Sequence, residues 1–310
     1  MNKLEHVSNE MRDLKKEFDL LIKPHRPALW RYCEMITGSP WDAEDLVQDT
    51  LLKSYSALPR IFQPLIPKSY LFRIATNTWL NQQRKQNRIL LGENTEESHE
   101  DLDPFELREA MEKLVAYLSP KQRVVILLFD VFQFRGSEVA EMIGSTEGSV
   151  KALLHRARTN LKKLNHKEHH TTSESESVFA TDPVIEAYLD AFNRRDPDAI
   201  ANLLDENAIN DIVHTSFEYG KKAIRNHSLE GWANDPMPMT ATYQMLWGKP
   251  VIVVITKLDG NDAVYSLIDL EMDAGVIVKK RTYYFCQDLL ETAAKELQIP
   301  VYPNGYIYGE

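Results

Sequence analysis

Residues 119–164 have the sequence SPKQRVVILLFDVFQFRGSEVAEMIGSTEGSVKALLHRARTNLKKL. Ser137 is placed to cap a short helix that Gly144 ends, and Ser145-Thr146 offers an N-cap for a longer helix from about Glu147. Apolar residues at helical spacing form one stripe along the longer helix: Val150, Leu153, Leu154, Ala157, Leu161 and Leu164. Two helices joined by such a short turn predict a helix-turn-helix.

Cations occupy the other faces of the second helix. One row contains Lys151, Arg158 and Lys162 together with His155. Arg156 and Lys163 lie beside that row. An exposed cationic helix suits the major groove of DNA, where side chains reach base edges and phosphates. A basic helix face that contacts only water is the plainer alternative. The motif as a whole favours a DNA-binding domain.

The bulk composition predicts a cytoplasmic protein of two or three domains. The chain has 310 residues, and its longest apolar runs, 124–129 and 251–255, are too short to cross a bilayer. The first 18 residues carry charges throughout and lack the apolar core of a signal peptide. Cys33 and Cys286 lie far apart in sequence, so we expect reduced thiols.

The net charge of −10 is unevenly distributed along the chain. Counting Lys and Arg against Asp and Glu, residues 1–89 carry +4 and residues 113–166 carry +5. Residues 90–112 carry −8, and residues 167–310 carry −11. Two basic segments therefore remain available to DNA phosphates, which supply much of the affinity of DNA-binding proteins.

Composition and periodicity divide the chain into folded units and linkers. The predicted order is a helical domain at 10–91, an acidic linker at 92–104, the helix-turn-helix domain at 105–165, a polar linker at 166–177, an α+β domain at 178–298 and a tail at 299–310. The second linker contains His166, His169 and His170, which we interpret as part of a solvated tether and not as metal ligands. We expect neither a metal nor a cofactor.

The first domain is predicted to be all helix. Its first apolar face comprises Phe18, Leu21, Ile22, Leu29, Tyr32, Cys33 and Ile36, with a break at Pro24–Pro27. Asp42 can cap the next helix, and three prolines between 59 and 67 exclude a helix there. A third helix is predicted to run from about 69 to 88.

That third helix carries one polar and basic stripe, made of Arg73, Asn77, Asn81, Arg84 and Arg88. Amides that contact base edges and cations that hold phosphates suit unpaired nucleic acid. Trp79 lies alongside, and it is either a stacking platform or, as is commoner for tryptophan, a core residue.

The last domain is predicted to place helices before an antiparallel sheet of five strands, within 208–217, 240–248, 250–258, 263–272 and 276–285. Asp211 and His214, or Asp269 and Glu271, are candidates for an isomerase-like acid or base in an apolar pocket. Which face these residues occupy is undetermined, and solvated sheet residues are the commoner case. We therefore predict no catalytic residue.

Two motifs resemble extracytoplasmic-function (ECF) sigma factors. WDAEDLVQDTLLKSY (41–55) followed by YLFRIATNTWLNQQRK (70–85) resembles region 2 of that family, and residues 118–158 resemble region 4. The resemblance implies a bacterial transcription initiation factor that binds core RNA polymerase and directs it to promoters. The acidic 92–104 stretch resembles the short link between these regions in the ECF class.

The resemblance also implies roles for particular residues. The 42–56 helix would dock on core polymerase through Asp45, Gln48 and Asp49. The 58–68 loop and the helix with Asn77, Asn81, Arg84 and Lys85 would hold the melted −10 element. The residues implied at the −35 element are Glu147, Ser149, Lys151, His155, Arg156 and Arg158.

The last domain resembles the SnoaL-like branch of the NTF2-like fold. DPVIEAYLDAFNRRDPDAIANLLDENA (182–208) is similar to the opening helices of that family, and YGKKAIRNH (219–227) is similar to a helix before its sheet. The resemblance implies an α+β cone that modulates the activity of the sigma factor. The acidic charge of this domain further predicts an intramolecular contact with the two basic domains.

Two other functions remain open from the sequence. One is an NTF2-like isomerase or cyclase whose helical front half regulates its own expression. The other is a ligand-sensing repressor or activator that binds duplex DNA without polymerase. Co-purification with core polymerase would distinguish a sigma factor from a repressor or activator. The enzyme alternative is tested by the side chains that occupy the cavity of the last domain.

Overall fold

The computed structural model describes residues 3–60, 67–90, 114–162 and 182–304. It divides the chain into two compact units, residues 1–176 with 308–310 and residues 177–307. The predicted linkers 92–104 and 166–177 lie outside the described residues, as does most of the proline-rich loop. The proposed domain boundaries therefore stay predictions.

The first helical domain contains four helices, α1 (Lys3–Ile22), α2 (Arg26–Thr37), α3 (Pro40–Ala57) and α4 (Pro67–Leu90). A 3-10 turn at Lys23–His25 separates α1 from α2, which confirms the predicted break near the prolines. Leu21 was assigned to the buried face, but it is 57% exposed. Phe18 and Ile22, one helical turn apart, supply the buried contacts of α1.

The start of α3 differs from its prediction by one turn. Ser39 is the N-cap, its hydroxyl accepts a hydrogen bond from the backbone N–H of Asp42, and Pro40 occupies the first helical position. Asp42 lies inside the first turn, where a carboxylate faces the positive end of the helix dipole. Proline is favoured at this position because the first N–H groups of a helix have no intrahelical partner.

The helix-turn-helix is confirmed. Helix α5 (Pro120–Ile126) continues into a π-helical turn at Leu127–Val131, and α6 (Gly136–Met142) and α7 (Glu147–Lys162) follow. Helix α6 begins before Ser137, and its cap comes from Glu138, whose carboxylate accepts a hydrogen bond from the backbone N–H of Arg135. Gly144 has a φ of 60°, which glycine adopts without strain, and the turn to α7 passes through it.

The two helical domains pack against each other within the first unit. The ring of Phe72 in α4 lies 5.0 Å from that of Phe132 and 5.1 Å from that of Phe134, beyond α5. Arg123 of α5 is buried, and its guanidinium donates hydrogen bonds to the carbonyl oxygens of Ile36 (2.5 Å) and Val115 (2.8 Å). The helix-turn-helix therefore shares an aromatic core with the domain before it.

The second unit begins with α8 (Pro183–Asn193) and α9 (Pro197–Asn202), each capped by an aspartate, Asp182 and Asp196. A second helical segment comprises α10 (Lys221–Ile224), a π-helical turn (Arg225–Leu229) and α11 (Glu230–Asn234). Helix α12 (Gln287–Glu296) follows the last strand. Past it, Val301 forms a parallel bridge with Val264, so part of the predicted tail joins the sheet.

Six strands form one sheet, in the order β2-β1-β6-β5-β4-β3. Their bounds are β1 (Leu204–Ile212), β2 (Ser216–Tyr219), β3 (Thr240–Leu246), β4 (Lys249–Leu258), β5 (Asn261–Asp273) and β6 (Val276–Thr282). Only β1 and β6 pair in parallel among these neighbours. This arrangement confirms the predicted α+β class.

The strand count of the prediction was wrong. The run 208–217, predicted as one strand, contains the end of β1, a tight turn and the start of β2. His214 lies in that turn with a φ of 70°, a left-handed conformation that ends strand pairing. The turn at 213–215 contains neither glycine nor proline, so no turn signal marks it in the sequence.

The space between the sheet and the helices of the second unit is filled by a single apolar cluster. Tyr188 and Phe192 of α8 pack there with Ile200, Leu229, Ile252, Tyr265 and Ile268, all at least nine-tenths buried. The ring of Trp232 packs against that of Phe192 at a tilt of 36°, with ring centroids 4.7 Å apart. Across the described ranges, no helix combines the length and apolarity that crossing a bilayer requires.

Candidate nucleic-acid and polymerase interface

A basic groove of about 570 Å³ runs along α4 beside the end of α3. Its walls include all four residues proposed for the −10 element, Asn77, Asn81, Arg84 and Lys85. The remaining lining residues are Lys53, Arg73, Ile74, Thr78 and Gln82. Helical spacing brings these side chains to one face of α4, and the structure adds Lys53 from α3.

Hydrogen bonds order the side chains of the groove. The Arg84 guanidinium donates to the side-chain oxygen of Asn81 (3.0 Å), and the Lys53 ammonium donates to the Thr78 hydroxyl (3.3 Å). Lys53 is also paired with Asp49 at 3.3 Å. Lys53 and Thr78 could not be predicted as lining residues, because a contact between α3 and α4 has no signature in either helix.

Arg73 connects the groove to the helix-turn-helix domain. Its Nη1 donates to the Glu141 carboxylate of α6 at 2.6 Å. Both side chains reach solvent, since Arg73 is one-third exposed and Glu141 is 70% exposed. One cation of the groove is thus held by an acidic side chain of the neighbouring domain.

Trp79 is a core residue and not a stacking platform. It is 3% exposed, and the buried guanidinium of Arg123 lies 5.3 Å from the centre of its ring. Burial lowers the pKa of Arg123 to about 10 because the charged form loses hydration. The plainer of the two predictions for Trp79 was therefore correct.

Helix α7 exposes all six residues proposed for the −35 element: Glu147, Ser149, Lys151, His155, Arg156 and Arg158. Thr146 acts as the predicted N-cap, and its hydroxyl accepts a hydrogen bond from the backbone N–H of Ser149 (3.2 Å). Val150, Leu154 and Ala157 are buried on the opposite side, which confirms the predicted core stripe at those positions. The helix therefore presents a cationic surface with a capped N-terminus.

Two of these side chains have partners inside the protein. Arg158 forms a two-point contact with Asp130, whose hydrogen bond raises the pKa of the guanidinium. The Nε–H of Arg156 donates to the carbonyl oxygen of Ala152 (3.3 Å), which leaves its remaining N–H groups directed outward. Asp130 was not singled out in the sequence analysis, since 28 residues separate it from Arg158.

The outer face of α3 carries the residues proposed to contact core polymerase. Asp45 is exposed, and Gln48 and Asp49 are half-buried. Leu52, one turn further along, is 57% exposed, whereas Leu46 and Val47 are buried. An exposed leucine beside carboxylates and an amide combines apolar area with directional hydrogen bonding, a mixture typical of protein interfaces.

Two of the acids considered for catalysis in the second unit, Asp211 and Asp269, are engaged in ion pairs. Asp211 lies 3.5 Å from Arg281 and 3.8 Å from Lys279, and Asp269 lies 2.5 Å from Lys249. The exposed Glu271 alternates along β5 with Leu270, which packs on the apolar cluster. His214 lies in the turn between β1 and β2.

A polar row crosses the inner face of the sheet. Glu218, Asn210 and Lys280 are neighbours on β2, β1 and β6, and the Asn210 amide donates to Glu218 (2.8 Å) and to Ser228 (3.0 Å). Burial lowers the pKa of Lys280 to about 8, and the charge of Glu218 offsets part of that effect. Strand alternation alone does not reveal which face is buried, so the sequence analysis missed this lysine.

Comparisons with known proteins agree with the helical geometry. The model of sigma-70 region 2 matches residues 21–89, and the model of sigma-70 region 4 matches residues 108–161. The ECF RNA polymerase sigma factor SigG of Mycobacterium tuberculosis is 31% identical over 253 residues, which span 71% of this chain and 68% of that protein.

Two solved structures are also similar to parts of the chain. The sigma factor RpoE of Bartonella quintana, solved with the anti-sigma factor NepR, is 26% identical over 50% of this chain and 99% of its own, with a TM-score of 0.41. An NTF-2 like protein of unknown function from Burkholderia xenovorans is 17% identical over 33% of this chain and 79% of its own, with a TM-score of 0.27. By the match to SigG and the order of regions 2 and 4, the chain belongs to the ECF sigma factors, which direct RNA polymerase to promoters.

Proposed function

We propose that the chain docks on core polymerase through α3, holds the opened −10 element in the α4 groove and binds the −35 element with α7. The observation that carries this proposal is the groove itself. Four residues singled out from the sequence, Asn77, Asn81, Arg84 and Lys85, line one basic depression. A depression lined by amides and cations fits single-stranded DNA better than a flat surface does.

The groove would bind DNA mainly through backbone phosphates and base edges. Arg73, Arg84 and Lys85 supply positive charge, and Asn77 and Asn81 supply donors and acceptors for bases. Trp79 is buried, so it does not stack on a base. Ile74 is the apolar lining residue that offers a surface to a base.

Helix α7 would occupy the major groove at the −35 element. Its N-terminal turn carries Glu147, Ser149 and Lys151, which is where recognition helices place the side chains that reach base edges. His155, Arg156 and Arg158 lie further along, within reach of bases or phosphates. Two DNA contacts on one chain strengthen each other through effective concentration.

The second unit would modulate these activities without catalysis. Its interior is filled by aromatic and aliphatic side chains, and Asp211 and Asp269 are paired with cations. The charge of −11 over residues 167–310 supports a contact with the two basic domains that limits access to DNA. A partner such as core polymerase places the protein in the cytoplasm.

The test is reconstitution of transcription with the full-length chain. Core polymerase and the chain are mixed with a library of genomic promoter fragments, and transcripts are mapped to their start sites. We expect co-purification of the chain with core polymerase and initiation at a defined set of fragments. DNA binding without polymerase association would point instead to the repressor or activator alternative, and absence of both would reject the proposal.

A further inference from the structure

Asp130 and Arg158 form a contact that the proposed roles leave unexplained. The carboxylate lies in the π-helical turn that extends α5, and the guanidinium lies on α7. Nε of Arg158 donates to one carboxylate oxygen at 3.1 Å, and Nη2 donates to the other at 2.5 Å. The contact therefore links the first helix of the domain to the recognition helix.

The stereochemistry of this contact leaves part of the guanidinium available. An arginine has five N–H donors in a planar fork, and Asp130 uses the Nε–H and one Nη2–H on the side edge. Three donors remain, two on Nη1 and one on Nη2, and they point along the end of the fork. Arg158 is 49% exposed, so this end reaches solvent.

An aromatic ring also lies beside the guanidinium. The ring of Phe129 lies 6.0 Å from the central carbon of the group, on the residue directly before Asp130. One turn of π-helix thus supplies both an aromatic surface and a carboxylate. The side chain of Arg158 is held in place before any DNA binds.

The position of Arg158 along α7 favours a phosphate over a base. It follows Glu147 by eleven residues, which is about 16 Å along the helix axis at 1.5 Å per residue. Base edges are contacted mainly from the N-terminal turns of a recognition helix. Lys151, His155 and Lys162 share a row with Arg158, and this row suits the path of a DNA strand.

We infer that Asp130 is a positioning residue that aims the free end of the Arg158 guanidinium at a DNA phosphate. The inference rests on the proposed role of α7 in binding duplex DNA. Asp130 partly neutralises Arg158, but attraction between exposed charges is screened by water and salt. Fixing a long, flexible side chain in its binding conformation lowers the entropic cost of binding, and this effect persists at physiological salt.

The sign of one substitution separates positioning from neutralisation. Removing the negative charge of Asp130 makes the protein more positive, so simple electrostatics predicts tighter DNA binding for Asp130→Ala. Positioning predicts weaker binding for the same variant. Because a phosphate contact does not depend on base sequence, any duplex serves as the probe.

The experiment measures binding of the full-length protein to a fluorescently labelled duplex of about 30 base pairs and arbitrary sequence. Fluorescence anisotropy is recorded over a range of salt concentrations. We expect Arg158→Ala to weaken binding several-fold and to reduce the slope of log K against log salt by about 0.9, the value for one phosphate. Asp130→Ala should also weaken binding several-fold, and the double variant should match Arg158→Ala. Asp130→Asn, which keeps one acceptor oxygen, should recover part of the loss.

Asp262→Ala is the matched control, since Asp262 is an exposed acid paired with Lys257 in the other unit. It removes the same charge and should not weaken binding. Tighter or unchanged DNA binding by Asp130→Ala would overturn the inference. It would also be overturned if Asp130→Ala caused the same loss of affinity when Arg158 is already alanine. Thermal unfolding would then show whether that loss comes from a destabilised fold. If the wild-type chain binds no duplex either alone or in complex with core polymerase, the proposed role of α7 falls together with this inference.

Discussion

Lys151 and Arg156 lie on different sides of the exposed surface of α7, and they test which side meets bases. If either residue contacts a base at the −35 element, its replacement by alanine should weaken promoter binding by about 1–3 kcal/mol and relax specificity at that base pair. Competition binding against a set of single-base-pair promoter variants measures both effects. A loss of equal size on every sequence would assign that residue to a phosphate.

Lys280 is a buried cation in the polar row on the inner face of the sheet, where it is 8% exposed. Its pKa is about 8 in the folded protein and 10.5 for the ordinary side chain. Between these values the unfolded chain binds more protons, so the free energy of unfolding should rise with pH from about 8 to 10.5. Below pH 8 the full penalty applies, about 3 kcal/mol at 1.36 kcal/mol for each pKa unit.

Lys280→Met should therefore stabilise the second unit at pH 7, by roughly 1–3 kcal/mol, because a desolvated charge is replaced by an apolar side chain of similar length. The variant should also lose the rise in stability between pH 8 and 10.5. Denaturant titrations at pH 7 and pH 10 measure both, with the exposed Lys257→Met as the control. If the free energy of unfolding changed with pH in the same way for Lys280→Met and the wild type, Lys280 would be charged and well solvated in the folded protein.

At the scale of elements, Arg123 joins α5 to the C-terminal end of α2. Helix ends leave carbonyl groups without intrahelical partners, and the guanidinium supplies donors to Ile36 and Val115. It also covers the ring of Trp79. One buried side chain thus completes the hydrogen bonding and the packing of three segments.

Arg123→Ala should lower the free energy of unfolding of the helical unit by about 2–4 kcal/mol, since one buried and one partly buried carbonyl lose their donor and a cavity opens against Trp79. Lys121→Ala, an exposed cation on the same helix, should stay within about 0.5 kcal/mol of the wild type. Tryptophan fluorescence during denaturation reports the change. Equal stabilities for the two variants would mean that the buried arginine is dispensable for packing.

Several elements followed from sequence patterns, and their failures have physical causes. The helices of both helical domains and the turn at Gly144 were predicted from periodicity and capping, which depend on neighbouring residues. The turn at His214 was missed, because its left-handed backbone is adopted by a residue that is not glycine. The N-cap of α3 was misplaced because Ser39 and Asp42 are both common capping residues.

Across the whole molecule, the packing of the two helical domains bears on the proposed binding of two separate promoter elements. The −10 and −35 elements are about 25 base pairs apart, roughly 85 Å of duplex at 3.4 Å per base pair. In the structure, α4 and α6 touch through Arg73 and Glu141. If the groove and α7 bind these two elements as proposed, the contact between α4 and α6 has to open first.

Glu141→Gln should favour this opening and free Arg73 for the groove. Because the ion pair is exposed, we expect a modest gain of about two- to five-fold in affinity for single-stranded −10 DNA. Arg73→Ala should weaken that binding, and Glu141→Gln should have no effect in the Arg73→Ala background. A gain that persists without Arg73 would mean that Glu141 acts through its charge alone.

The charge of the second unit motivates a further prediction. A chain ending near Asn165 should direct more promoter-specific transcription than the full-length chain at low salt, because the acidic residues 167–310 no longer compete with DNA. The difference should shrink as salt rises. Equal activity of the two chains at low and moderate salt would reject charge-based inhibition, and lower activity of the short chain would show that the second unit assists initiation.

Short stretches of sequence were sufficient to predict the helix-turn-helix, the basic stripe of α4 and the α+β class of the last domain, because periodicity, caps and charge runs are local properties. Contacts between distant segments were needed to establish that Trp79 is core, that Lys53 joins the groove, that Asp130 holds Arg158 and that Lys280 faces inward. Each of these depends on which surfaces of distant segments meet. That choice follows from packing the whole chain, which no short window of residues contains.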